Sequence, residues 1–397
     1  MFRLLVIAWP VLVKKVPPTM QRAEPVRIAL SLAQNGAYAD AYGPGVGPTA
    51  HCVPTHPLIV ASLIRVFGSG QRGALALSIL NAIATALGYA LLPALSVNLG
   101  LGAGPGLLAG VIGAVLPINL AIQTTEVFDA PYTFAALVLL CCLWGRYWMD
   151  GKLKAAQGAR FGFATGVACL LNASVAAVFA FWLLVGAWRF RPQFSRFLRF
   201  AAIAVVCWIA ALTPWAIRNR IVLGSWIFLR SNLGLELYVS NCDDAGPNLE
   251  GNVLTPWFAR IHPTSSEFER SQVRSLGEVA YQRLKLQQAL DWISAHPQRF
   301  SRLSAERLFL TLFPQMRTWQ RLVVAAYTVL GLVGLAWLFN QRHPAALFFL
   351  AILLGFPVIN IFVQASARYR FPIDWALLVL GCKFLLDQFR RLCYHRV

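Results

Sequence analysis

Seven apolar runs, each close to the length of a bilayer span and carrying few charges, constrain this chain more than any other feature. They are residues 74–97, 105–123, 131–148, 200–217, 321–339, 344–363 and 371–389. About 20 apolar residues cross the hydrocarbon core as a helix. In lipid every backbone N–H and C=O must be bonded internally, so successive runs of this kind fold as helices rather than as an open sheet. The expected fold is therefore an all-α polytopic membrane protein. Composition agrees, with 58% hydrophobic and 13% charged residues and a mean hydropathy of +0.59. At that span length, 397 residues hold about ten helices and one sizeable aqueous segment.

Residues 161–188 are expected to form two short helices meeting near Asn172, because basic loops stand at both ends and one span would put them on opposite faces. The run 4–13 is short, ends in Lys14 and Lys15, and lacks a clear small-residue cleavage site. It is read as a weak first span, and Met1 as a start that could be shortened. The net charge of +19 would suggest nucleic acid in a soluble protein. Here Lys152, Lys154 and Arg160, then Arg189, Arg191, Arg196 and Arg199, then Arg390, Arg391 and Arg396 all flank apolar runs. That is the positive-inside pattern, and it removes nucleic acid as a partner. Placing 149–160, 189–199, 340–343 and the C-terminus in the cytoplasm puts 17–72, 124–130, 218–320 and 364–370 outside. The parity closes with both termini inside.

The chain divides into an N-terminal membrane region, 1–217, which includes the external loop 17–72; an external segment, 218–320; and C-terminal spans, 321–397. The first loop carries helical stretches near 24–34 and 57–67, the second suited to the membrane interface. In 218–320, Val273, Leu276, Val279 and Ala280 share one face of a long helical pattern opposite Arg270, Arg274, Glu278 and Arg283. Pro297 interrupts it, and a further helix is expected through Phe309. No tandem repeat is present. The cysteines at 141, 142, 169, 207 and 382 lie in apolar runs as small buried hydrophobes. Cys52 and Cys242 both fall outside, where a disulfide is open but not established by spacing.

Four stretches resemble bacterial membrane glycosyltransferases of the GT-C superfold, in the family-39-like group related to protein O-mannosyltransferases and the aminoarabinose transferase of lipid A. They are 23–68, with its acidic residue, Gly/Tyr-rich turn and Pro-rich bend; 213–241, with Pro-Trp-x-x-Arg-Asn, then Ser-Asn-x-Gly and a later Asn; 262–313, with His262–Pro263; and 367–372, Ala-Arg-Tyr-Arg-Phe-Pro. The resemblance implies a GT-C-like helix bundle with an external helical segment in a bacterial inner membrane. It implies transfer of a sugar from a polyprenyl phosphate to a lipid, glycan or protein acceptor, at a site facing the periplasm or exterior. Inverting transfer needs a carboxylate base and cations for the leaving phosphate. Many members carry Asp-Glu in the first loop. This chain has Glu24 followed by Pro25, with Asp40 further on, so the resemblance implies Glu24 or Asp40 as the base.

Arg368 and Arg370 stand out without the resemblance. Two arginines in a short external loop run against the positive-inside rule, and a guanidinium fork suits a phosphate. Tyr369 is an added donor, and snorkelling to lipid headgroups is the plainer alternative. Arg218 and Asn219 close the 200–217 span, where a cation suits the helix C-terminus; the family motif implies substrate contact by them and by Asn232 and Asn241. Glu126 and Asp129 read first as caps for the helix at Pro131 and second as cavity residues. His51, Cys52 and His56 match no standard metal-site spacing, so a divalent metal is unsupported. No nucleotide-binding loop is present. A flippase or transporter of lipid-linked saccharides and a non-catalytic relative remain the alternatives; the first would show inverted repeats and ionisable residues at mid-span.

Overall fold

The computed structural model describes Arg3, Leu5, Ile7, residues 19–151 and residues 153–394; most of the expected first span, 4–13, lies outside them. The first external loop forms α1, Glu24–Asn35, and α2, Thr55–Phe67. Spans and half-spans follow as α3, Gln71–Asn98; α4, Ala103–Val115; α5, Ala130–Asp150; α6, Ala155–Cys169; α7, Val175–Arg189; and α8, Phe194–Leu223. The external segment contributes α9, Leu233–Ser240; α10, Glu267–Leu276; α11, Glu278–Ala295; and α12, Pro297–Leu312. The chain closes with α13, Thr318–Asn340; α14, Ala345–Gly355; and α15, Asp374–Tyr394. Among the described residues, α3, α5, α8 and α13 are long and apolar enough to cross a membrane, and α2, α4, α7 and α14 are shorter apolar helices. The protein is an all-helical, multi-pass membrane protein.

Three expectations are corrected. The run 105–123 is not one span: α4 stops at Val115, ahead of Pro117. Asn119, left-handed at φ 57°, then opens the short turn Leu120–Thr124. The run 344–363 gives only the eleven-residue α14, because Pro357 ends it and a 3-10 turn, Val358–Ile361, follows. The long external pattern is two helices, split at Gly277, whose φ of 77° breaks the shared face. The two short helices meeting near Asn172 are present as α6 and α7.

Lipid gives little hydrophobic drive between spans, so close backbone approach between small residues holds them together. Gly158, Gly162 and Gly166 line α6 against α8. A Cβ on Gly162 would sit 1.9 Å from the Ala204 carbonyl oxygen, and one on Gly158 2.6 Å from that of Phe200. Gly331 and Gly334 let α13 meet α15 in the same way. Between these seams the aromatic core fills in, with Trp144 stacked at 4.3 Å on Phe161 and 5.0 Å on Phe200.

The loops sort to two ends as the basic clusters require. At one end Trp148 Nε1 donates to Pro344 O at 2.9 Å, and Arg189 donates to Trp148 O. At the other, Ser231 N donates to Ala50 O at 3.0 Å, Thr55 N to Leu170 O, and Ala365 N to Pro247 O. Cys52 and Cys242 are free thiols.

A Gly162→Val variant should lose at least about 1–3 kcal/mol through overpacking at the α6–α8 seam. Gly104→Ala, whose new methyl meets Leu386 at an ordinary 3.4 Å, should stay within about 0.5 kcal/mol. Thermal unfolding in detergent compares the two, and equal midpoints would remove the close-approach account.

Candidate active site

The end of the bundle opposite the basic loops is built around the loop between α1 and α2. Asp40 opens its tip at φ 67°. The Asp40 carboxylate accepts the Gly47 N–H at 3.0 Å, so this candidate base is engaged in shaping the turn. Residues 49–51 then run under the external helices. Arg218, at the end of α8, donates to Thr49 O and Tyr38 O, both at 2.7 Å. Arg230 Nε donates to His51 O at 2.8 Å.

Glu24 starts α1, where the helix dipole favours a carboxylate. Its Oε1 accepts the Thr264 hydroxyl at 3.0 Å. Burial works to raise its pKa, whereas the His51 and His262 rings when protonated, its own N–H and the Thr264 hydroxyl work to lower it, and the net direction is below the ordinary glutamate value. Glu24 is thus an ionised carboxylate at neutral pH. His51 is held at about 3 by burial and then by Arg230, with Glu24 opposing; His262, stacked on Phe258 at 4.9 Å, is also lowered by burial. Both rings are therefore neutral. Tyr42 OH lies 2.9 Å from His51 Nδ1, and Gln282 donates to the same hydroxyl at 3.4 Å. Tyr42 then donates to Nδ1, which leaves the imidazole proton on Nε2.

Arg368 lies flat over Phe128, 3.7 Å from the ring centroid. Its Nη2 donates to Tyr369 OH at 3.3 Å, and Glu126 stands 3.9 Å from Nη1. Burial costs this cation, but Tyr369, Glu126 and Asp129 outweigh it and raise its pKa. Arg230 is water-accessible, and it feels Cys52, Glu236, Asp129 and Tyr369. A cavity lies close by: its wall includes Arg230, Asp129, Phe128, over which Arg368 stacks, and Pro25, the residue after Glu24.

The structure sets Arg368, with Tyr369, over Phe128 of the cavity wall and Glu24 next to Pro25, and gives the other candidates partners within the fold. Arg370 is corrected: it is 2% exposed, paired with Asp374 at 2.6 Å and donating to Thr328 and Leu312 O, so it ties the last span to α13. Arg218 clamps backbone carbonyls. Asn219 is fully buried and bonds Ile227 O and Arg218. Asn241, also fully buried, donates to Leu237 O and Phe362 O and accepts from Arg307. Asn232 donates to Glu236 at 3.0 Å and so orients a carboxylate near the cavity. Arg218, Asn219 and Asn241 thus each hold hydrogen-bond partners within the fold.

Sequence reasoning did not name Arg230 or Glu236, gave His262 only as part of a motif, and read Asp129 first as a cap and second as a cavity residue. Asp129 makes no capping bond; its Oδ2 accepts Thr133 Oγ1 at 2.7 Å and Asn172 Nδ2 at 2.6 Å. Arg230, a further arginine on the external side, was the available signal. Among the described residues no group of three or more His, Cys, Asp or Glu could hold a metal ion, and His51, Cys52 and His56 do not form one.

The all-helical membrane bundle is a fold that solved structures share. No protein-family model matches the sequence, and no curated protein matches it. The apo oligosaccharyltransferase of Archaeoglobus fulgidus aligns at a TM-score of 0.53 and 13% identity, over 98% of this chain and 50% of that one. The same protein with Zn and sulfate aligns at 0.52 and 12%, over 98% and 49%. ArnT from Cupriavidus metallidurans bound to undecaprenyl phosphate matches at 0.38 and 13%, over 97% and 77%. The chain spans about half the length of the archaeal protein. Its fold is GT-C-like.

The neutral histidines set a pH dependence. The unfolded chain protonates His near 6.5, whereas folded His51 waits until about 3. Stability present at neutral pH should therefore fall progressively between those values. Glu24, with its lowered pKa, adds to the loss only below about 4.3. Melting in detergent should drop clearly between about pH 7.5 and 5, and less steeply in His51→Gln; a flat profile would contradict neutral buried rings.

Proposed function

We propose that the chain is a membrane glycosyltransferase that moves a sugar from a polyprenyl phosphate to a lipid, glycan or protein acceptor outside a bacterial inner membrane. The observation that carries this reading is one cavity, at the end of the bundle opposite the basic loops, flanked by an ionised carboxylate and an arginine suited to phosphate. The GT-C-like fold and the motifs at 23–68 and 367–372 support it.

In this mechanism Glu24 takes the proton of the acceptor hydroxyl, and that oxygen forms the new bond to the anomeric carbon. The bond from that carbon to the phosphate oxygen breaks, and the electron pair leaves with the lipid phosphate. Arg368, with Tyr369, holds the phosphate and balances the charge that grows on it. Thr264 orients Glu24 by its hydrogen bond. Base and leaving group on opposite sides of the sugar give inversion. Glu24 is preferred to Asp40 because its neighbour Pro25 is part of the cavity wall, to which neither Asp40 nor its neighbours contribute.

Membranes containing the protein should transfer radiolabel from at least one polyprenyl-phosphate sugar. Glu24→Gln should lower turnover by about 10²–10⁴-fold with lipid-phosphate binding retained, and Arg368→Ala should weaken that binding. Full turnover in Glu24→Gln would remove this base. No transfer with any donor by folded protein would favour a flippase or a non-catalytic relative.

A further inference from the structure

Arg368 rests on an aromatic ring. Its guanidinium carbon lies 3.7 Å from the Phe128 centroid, the closest approach of a cation to a ring among the described residues. Phe128 sits on a turn that is fixed from two directions. Asn81, fully buried on α3, donates to the carbonyl oxygens of Thr124 and Glu126 at 3.2 and 2.7 Å. The Glu126 carboxylate accepts the N–H groups of Val127 and Phe128 at 2.9 and 3.3 Å. The same carboxylate faces Arg368 Nη1 at 3.9 Å, too far for a hydrogen bond. The turn therefore holds the ring in place through its own bonds, and the cation lies on a platform already set.

Stacking of this kind leaves the donors free. A guanidinium takes a ring on its face and acceptors along its edge, where its five N–H groups lie. Among the described residues the side chain of Arg368 makes one hydrogen bond, from Nη2 to Tyr369 OH at 3.3 Å. The side chain is 18% exposed, so water, or a ligand in its place, reaches it. An unheld arginine samples many rotamers, and ordering it on binding opposes affinity. A ring that orders the side chain beforehand removes that loss and consumes no donor. A leucine would fill the same space but would offer no negative face to the charge.

We infer that Phe128 is a positioning residue for phosphate binding: its face holds the Arg368 guanidinium so that the N–H edge stays open to the polyprenyl phosphate. The inference rests on the phosphate role of Arg368 proposed above. It gives Phe128 an electrostatic task beyond packing against the apolar cluster of Val127 and Tyr132.

The test uses the full-length protein in detergent and radiolabelled polyprenyl phosphate. Phe128 is replaced by mono-, di- and trifluorophenylalanine, which nearly keep its shape while drawing negative charge from the ring face. Each fluorine should weaken lipid-phosphate binding, reaching about fivefold in all with the trifluoro ring, at an unchanged melting temperature. Phe128→Leu should weaken binding at least as much, and Phe128→Tyr should bind as the native protein does. Should Phe128→Leu fail to fold, the fluorinated series still decides. Native affinity throughout that series, with binding weakened in Arg368→Ala, overturns the role of the ring and leaves the phosphate reading intact. Native affinity in Arg368→Ala, or no binding by the folded native protein, overturns both.

Discussion

The half of this protein opposite the basic loops depends on one buried carboxylate. Glu278, 6% exposed, accepts the Ala50 N–H at 2.7 Å and the Ser231 hydroxyl at 2.6 Å, and it also accepts the Thr49 hydroxyl. Those donors come from the first loop and from the start of the external segment, more than 170 residues apart in sequence. Burial raises the Glu278 pKa, and the bonds from Ala50, Ser231 and Thr49, with Arg218 nearby, work against that rise. A buried acceptor left unpaired costs about 1–3 kcal/mol, more when charged, so the loop and the segment are ordered together or not at all. His51 and Arg230 inherit their positions from this joint, because His51 follows Ala50 directly and Arg230 precedes Ser231.

The membrane bundle provides the rigid base on which that joint rests. Glycine seams fix α6 against α8 and α13 against α15 at backbone contact, leaving little room to slide. Arg307 carries the same logic into the external layer. It is fully buried, and it bonds Ser240 O, Asn241 and Phe362 O, locking α12 to α9 and to the loop before α15. Arg370 with Asp374 does so one turn deeper. A few buried side-chain atoms keep no partner among the described residues, among them Arg307 Nε, the Tyr132 hydroxyl and His56 Nε2.

Much of the architecture was legible in the sequence because the physics behind it is local. An apolar run of span length must become a helix in lipid, and basic loops must share a side; both rules act on consecutive residues. They failed where a proline or glycine cut a run that hydropathy alone joins, at Pro117, Pro357 and Gly277. The site was legible in part. Glu24, Arg368 and Tyr369 lie at the end of the bundle where the sequence reading put them, whereas Arg370, of the same type as Arg368 and two residues on, is turned inward to Asp374. A helix of 3.6 residues per turn sends neighbours two apart to different faces, and nothing in a short loop says which face will meet water.

The sequence by itself determined a helical membrane protein, the grouping of its loops at two ends, and an acidic residue and arginines on the end without the basic clusters. Each follows from the cost of placing charge or unbonded backbone in hydrocarbon, which the residue order alone sets. Only the tertiary structure decided which polar side chains are consumed by the fold and which remain open to a ligand. That depends on partners brought from far along the chain: Asn172 to Asp129, Glu278 to Ala50, Asp374 to Arg370. The hydrogen-bonding capacity of a residue is written in its type, but whether that capacity is already filled is a property of the packed molecule.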